Sequence, residues 1–135
     1  MFFKKKFKHD LKNPISAMIG YSEYILEEIE SDDYISHIND INSIYKSCKK
    51  INSNLDKSIN KFSDKVINRK KINDFQFEIR TSLSSIVGLI ELIKDKLQET
   101  ESSEDEFIDC VNNIYESCNS MSKIVDNIEI YYEEN

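Results

Sequence analysis

Apolar residues along the chain fall into four stripes of helical period, separated by short polar breaks. Leu11, Ile15, Met18, Ser22, Ile25 and Ile29 are spaced 4-3-4-3-4, and Ile79, Leu83, Ile86, Ile90, Ile93 and Leu97 repeat that spacing. Positions so spaced return to one side of an α-helix, which makes the a/d-type seam of bundle packing. Ile38, Ile41, Tyr45, Cys48, Leu55, Ile59 and Phe62 form a third stripe. Ile108, Val111, Tyr115, Cys118, Val125 and Ile128 form the fourth. Glu30-Ser31-Asp32-Asp33 separates the first two helices and offers Ser and Asp caps for the second. Residues 101–106 do the same in the second half, with Ser103 and Glu106 at capping-box spacing. The remaining break, Asn68 to Asp74, is the expected linker. Short connections make successive helices antiparallel neighbours, so the pattern predicts an all-α, up-down-up-down four-helix bundle.

The two halves are copies. His9-Asp10-Leu11-Lys12-Asn13-Pro14-Ile15 returns 68 residues later as Phe77-Glu78-Ile79-Arg80-Thr81-Ser82-Leu83. The match continues through Ser16/Ser84, Ile19/Val87, Gly20/Gly88, Glu23/Glu91, Ile25/Ile93 and Ile29/Leu97, and the second helices match at an offset of 70. Fixed-period self-similarity means that one supersecondary unit is present twice, each copy burying the apolar face of the other. The expected organisation is a single bundle over residues 1–135, made of hairpin 1–68 and hairpin 69–135.

Composition narrows the function classes. A chain of 135 residues suits one compact domain, and its 2 glycines and 1 proline fit long helices with few turns. The net charge of -7 argues against nucleic acid as a partner. It is split unevenly, with net +3 over residues 1–70 and -10 over residues 71–135, so the halves are expected to attract one another. The basic start Met1–Lys8 is not followed by a signal-type apolar run, and no stretch approaches the roughly 20 apolar residues of a membrane span. Cys48, Cys110 and Cys118 lie within helical stripes without metal-like spacing and are read as small buried hydrophobes. A cytoplasmic monomer is the expectation, free of cofactor and metal, with no nucleic-acid or membrane partner.

Three residues break local rules. Pro14 inside a helix removes a backbone donor, clashes with the carbonyl of Asp10 and costs about 3 kcal/mol. Gly20 and Gly88 each cost up to about 1 kcal/mol against Ala. Their equivalent placement predicts close approach by another backbone, either a neighbouring helix or a docking partner. His9 stands one turn before the proline. His37, the other imidazole, reads as an exposed residue without a role.

His9-Asp10-Leu11-Lys12-Asn13-Pro14-Ile15, continued by Ser16-Ala17-Met18-Ile19-Gly20-Tyr21-Ser22-Glu23, resembles the H-box helix of sensor histidine kinases. Their dimerisation and histidine-phosphotransfer domain is a helical hairpin that pairs into a four-helix bundle. Glu78-Ile79-Arg80-Thr81, with the helix that follows, resembles the same box with its histidine replaced by Phe77. The resemblance implies that His9 is a phosphoacceptor and that Asp10 supports its ring. It also implies that Asn13, at the family's acid-x-x-Asn/Thr spacing, positions a water for hydrolysis of a phosphoaspartate. Lys12 and Pro14 complete the motif, while Phe77, Glu78 and Thr81 form a degenerate second site.

The implied partner is the receiver domain of a response regulator, which would bring its own Mg2+, with a histidine kinase as a second candidate partner. The two glycines are too far apart for a glycine-rich phosphate loop, which argues against autokinase activity by this chain alone. Phosphotransfer between His9 and a receiver aspartate is the first expectation. A docking module without chemistry, or a receiver phosphatase using Asn13 or Thr81, is the alternative.

Overall fold

The computed structural model describes residues 3–29, 32–98 and 106–133. Helix α1 spans Phe3–Glu28, α2 Ile38–Asn60, α3 Arg69–Gln98, α4 Glu106–Asp126 and the short α5 Ile128–Glu133. A 3-10 turn over Asp32–His37 leads into α2, and no strand occurs among the described residues. Helices α1 and α3 each pack against both α2 and α4. Contacts fix the directions: Lys12 on α1 reaches Asn52 near the end of α2, and Tyr24 near the end of α1 reaches Glu106 at the start of α4. Arg80 early in α3 meets Asp126 at the end of α4. Neighbouring helices are therefore antiparallel, and the fold is the expected up-down-up-down bundle.

The α1 and α3 seams point inward, whereas in the other two stripes Ile38, Tyr45, Ile108 and Tyr115 are only half-buried and Ile44, Phe107, Cys110 and Ile114 beside them are in the core. Leu11, Ile15, Met18, Ile25, Ile79, Leu83, Ile86, Ile90, Ile93 and Leu97 belong to one buried cluster with Ile41, Cys48, Leu55, Val111, Cys118 and Val125. Ser22 occupies the seam position that Ile90 fills in the other copy, and it donates its hydroxyl to the Met18 carbonyl at 2.7 Å. That bond satisfies a buried hydroxyl which would otherwise cost about 1–3 kcal/mol. The three cysteines are free and buried, and burial pushes the thiols of Cys48 and Cys118 up to about 12. At the open end of α1, Phe3, Phe7, Phe62, Phe75, Tyr131 and Tyr132 form an aromatic cluster that joins the two hairpins.

Several local expectations are corrected. The break between the hairpins lies at 61–68, because α3 begins at Arg69 and not after Asp74. The Asn68 side chain caps α3 by accepting the backbone N–H of Lys71 at 3.1 Å. Ile72 and Phe75 then extend the buried seam toward the N-terminus. Helix α2 starts at Ile38 after the 3-10 turn, and its N-cap residue His37 makes no side-chain capping bond. Ser31 and Ser103 lie outside the described residues. The 3-10 turn follows from aromatic burial: Tyr34 stacks on Phe107 with centroids 4.2 Å apart, and His37 lies tilted against the same ring at 5.9 Å.

The glycines do not admit a neighbouring helix. A Cβ built at Gly20 or Gly88 meets nothing within 4 Å, because both face outward. The described ion pairs between helices or along one helix lie within single hairpins. Among the described residues the ion pairs Lys8–Asp56 and Lys12–Asp56 lie in the first hairpin. Arg69–Glu129, Lys70–Asp74 and Arg80–Asp126 lie in the second. Apolar burial and tyrosine hydrogen bonds hold the hairpins together.

His37 is buried, not exposed as its sequence context suggested, and its Nδ1 has no hydrogen-bond partner among the described residues. Burial, reinforced by the Lys96 ammonium and opposed by Asp40, lowers its pKa from the ordinary value near 6.5. The folded state thus binds this proton less readily than the unfolded chain. Stability is fully present above pH ~6.5 and falls as pH drops through that value toward the lower folded pKa. The wild-type melting temperature is expected to fall by a few degrees more than that of His37→Gln between pH 7 and 5, as followed by circular dichroism. Parallel curves for the two proteins would contradict this.

Candidate functional site

His9 lies in the second turn of α1, between the buried Phe7 and Leu11, so its own side chain must point outward. That side chain is 74% exposed. Its Nδ1 stands 3.3 Å from Oδ1 of Asp10, and its Nε2 makes no hydrogen bond to any described residue. The other carboxylate oxygen, Oδ2, accepts a 2.6 Å hydrogen bond from the hydroxyl of Tyr131 on α5. The Tyr131 ring packs edge-on against Phe7 at 5.1 Å and Phe3 at 6.5 Å, and the Lys6 ammonium lies 5.8 Å from its centroid. One exposed imidazole is thus flanked by a carboxylate anchored from the far end of the chain.

The other motif residues divide. Lys12 turns away from His9 toward α2, donating to Asn52 Oδ1 at 2.9 Å and standing 3.6 Å from Asp56. It braces the hairpin. Asn13 is exposed, with no hydrogen bond to any described residue, and lies on the His9 face of α1 one turn further on. With Asp10 and Pro14 it lines an open groove whose far wall is Ser117, Ser120 and Ile124 of α4. Pro14 is buried within α1, which continues past it to Glu28, and it leaves the Asp10 carbonyl without its helical donor.

The same face of α1 continues from His9 and Asn13 to Ala17, Gly20 and Tyr24. Ala17, Gly20, Tyr21 and Tyr24 line a second, mainly apolar groove with Cys110.

The second copy is built differently. Phe77, in the place of His9, is 73% exposed. Glu78 borders a hollow of mixed character, lined by Lys61, Lys71 and Asp74 and by the rings of Phe62 and Phe75. The Thr81 hydroxyl donates to the Phe77 carbonyl at 2.7 Å and is therefore occupied by its own helix. Arg80 grips Asp126 with Nε at 2.8 Å and Nη2 at 2.7 Å, which reproduces the Lys12–Asp56 brace at the equivalent positions. Among the described residues no three His, Cys, Asp or Glu side chains gather as metal ligands, and no helix is long and apolar enough to cross a membrane.

Residues 78–132 match the model of the His Kinase A (phospho-acceptor) domain, from the third turn of α3 through most of α5. The second hairpin is what that family model matches. The His Kinase A match begins at the residue immediately after Phe77, so it falls on the copy without the acceptor-position histidine. The first hairpin repeats the His Kinase A pattern at an offset of 68 and carries His9. The match supports involvement of the chain in histidine-kinase signalling. Searches of the curated proteins and of the solved structures returned no match.

Tyr131 escaped the sequence reading. It lies beyond the last residue of the fourth stripe, and nothing in its own helix says which residue of α1 its hydroxyl meets.

Proposed function

We propose that this chain is a histidine phosphotransfer module that exchanges a phosphoryl group between His9 and the aspartate of a response-regulator receiver domain. The observation that carries the reading is the exposed His9 ring, with Nδ1 directed at Asp10 and Nε2 open to solvent. With the proton on Nδ1 and Asp10 accepting it, the Nε2 lone pair faces an incoming acyl phosphate. Nε2 forms the N–P bond as the P–O bond to the receiver aspartate breaks, and that carboxylate leaves with the electron pair. Asp10 offsets the positive charge that develops on the ring. The continuous face from His9 to Tyr24 supplies the docking surface, and the receiver would contribute the Mg2+ that neutralises the phosphoryl oxygens. The test is incubation with receivers carrying labelled phosphoaspartate: acid-labile label on His9 supports transfer, and a complex without transfer or release leaves docking alone.

Asn13 favours a second activity, hydrolysis of the same phosphoaspartate, because its amide is exposed and uncommitted whereas the Thr81 hydroxyl is tied to its own backbone. Attack by an imidazole needs no positioned water, but hydrolysis does. Asn13→Ala is expected to slow release of free phosphate about tenfold or more while transfer onto His9 changes less than about twofold. Equal loss of both, in step with receiver affinity, would make Asn13 a contact residue only.

A further inference from the structure

We infer that Tyr131, supplied by the second hairpin, is a positioning residue for His9, acting through Asp10. This rests on the reading of His9 as the acceptor. The Tyr131 hydroxyl donates to Asp10 Oδ2 at 2.6 Å, within the short range of O–H···O⁻ bonds. That contact leaves Oδ1 of the same carboxylate facing His9 Nδ1 at 3.3 Å. A carboxylate torsion is otherwise soft, and an exposed aspartate beside an exposed imidazole would rotate into water. Held by the hydroxyl, Asp10 presents a fixed acceptor to Nδ1, selecting the tautomer whose Nε2 lone pair points outward. The hydroxyl is itself located by packing of its ring against Phe7 and Phe3.

The repeat shows that this arrangement belongs to one site alone. At the offset of 70, the position of Tyr131 corresponds to Lys61 in the first hairpin. Lys61 lines the same hollow as Glu78. The site with the imidazole has the tyrosine, and the site with Phe77 has the lysine. The second hairpin has no imidazole of its own in the motif, yet it provides the hydroxyl that orders the first. The two copies are complementary.

The test compares Tyr131→Phe with Tyr132→Phe in the full chain. Tyr132 loses a similar hydroxyl, one that donates to the Ser63 carbonyl at 2.9 Å, away from His9. The readouts are the His9 tautomer from ring ¹⁵N shifts at about pH 8, where an ordinary imidazole is neutral, and the rate of transfer from a phosphorylated receiver. In the wild type the Nδ1–H form is expected to predominate. Tyr131→Phe should shift His9 toward the Nε2–H form and slow transfer about fivefold to tenfold, while Tyr132→Phe should do neither. Asp10→Asn, which leaves the Tyr131 ring packed, should also remove the Nδ1–H preference. An unchanged tautomer ratio in Tyr131→Phe or in Asp10→Asn overturns the inference, as does an equal shift in Tyr132→Phe. If the wild type accepts no phosphoryl group, the acceptor reading fails, whereas the tautomer comparison still decides the role of Tyr131.

Discussion

His9→Ala is expected to reduce phosphorylation of the chain to background, a loss on the order of 10³-fold or more, with the fold unchanged. A covalent nucleophile has no substitute in a mechanism that forms a bond to it. The chain's 2 histidines occupy opposite environments. His9 is 74% exposed at the side chain, whereas His37 is buried against Phe107 and out of reach of a docked receiver. Removing an exposed side chain that makes one hydrogen bond changes stability by about 0.5 kcal/mol or less, so loss of label cannot be ascribed to unfolding. Phosphopeptide mapping under alkaline conditions checks the outcome. Label persisting in the variant would mean that the motif has been assigned to the wrong residue.

Phe7→Ala should have the largest effect on stability, about 3–5 kcal/mol out of the 5–15 typical of a small domain. Phe7 is fully buried and contacts rings from both hairpins: Phe3 at 5.4 Å, Phe75 at 5.8 Å and Tyr131 at 5.1 Å. Truncation leaves a cavity at the junction of the hairpins. It also removes the surface that locates Tyr131, so transfer should fall alongside stability. Urea denaturation measures the first effect, with Phe77→Ala as the contrast. Phe77 is 73% exposed and should change the midpoint hardly at all. Equal midpoints for the two variants would show that the aromatic cluster does not join the hairpins.

The bundle was legible because its determinants are periodic. The 4-3-4-3-4 seams, the matching second-helix stripes and the scarcity of turn residues each specify inward faces without knowledge of partners. What could not be read locally was decided by packing between segments. The start of α3 moved from the expected linker to Arg69 because Ile72 and Phe75 found core contacts and Asn68 found a cap. His37 was drawn inward by Phe107, seventy residues away in sequence, which no feature of its own helix announces. The glycines showed the reverse: a rule-breaking residue implied a close neighbour, and the chain itself provides none.

The candidate site divides the same way. His9, Asp10 and Asn13 share an exposed region because their register relative to the seam places them there. Lys12 is one residue from Asn13, but its long side chain reaches back to Asn52 and Asp56. Thr81 sits at the position of Asn13 in the repeat, but its short hydroxyl finds its own helix backbone first. Tyr131 required the fold, since it joins the C-terminal helix to the first motif across 121 residues of sequence.

The central claim is that two hairpins in one chain carry one phosphoryl acceptor. Intact-mass measurement after exposure to a phosphorylated receiver, followed by mild acid, tests it most directly. One acid-labile phosphoryl group per 15.9 kDa chain, located on His9, is the result the proposed function predicts. Two groups per chain, a group that survives acid, or none with any receiver would contradict it.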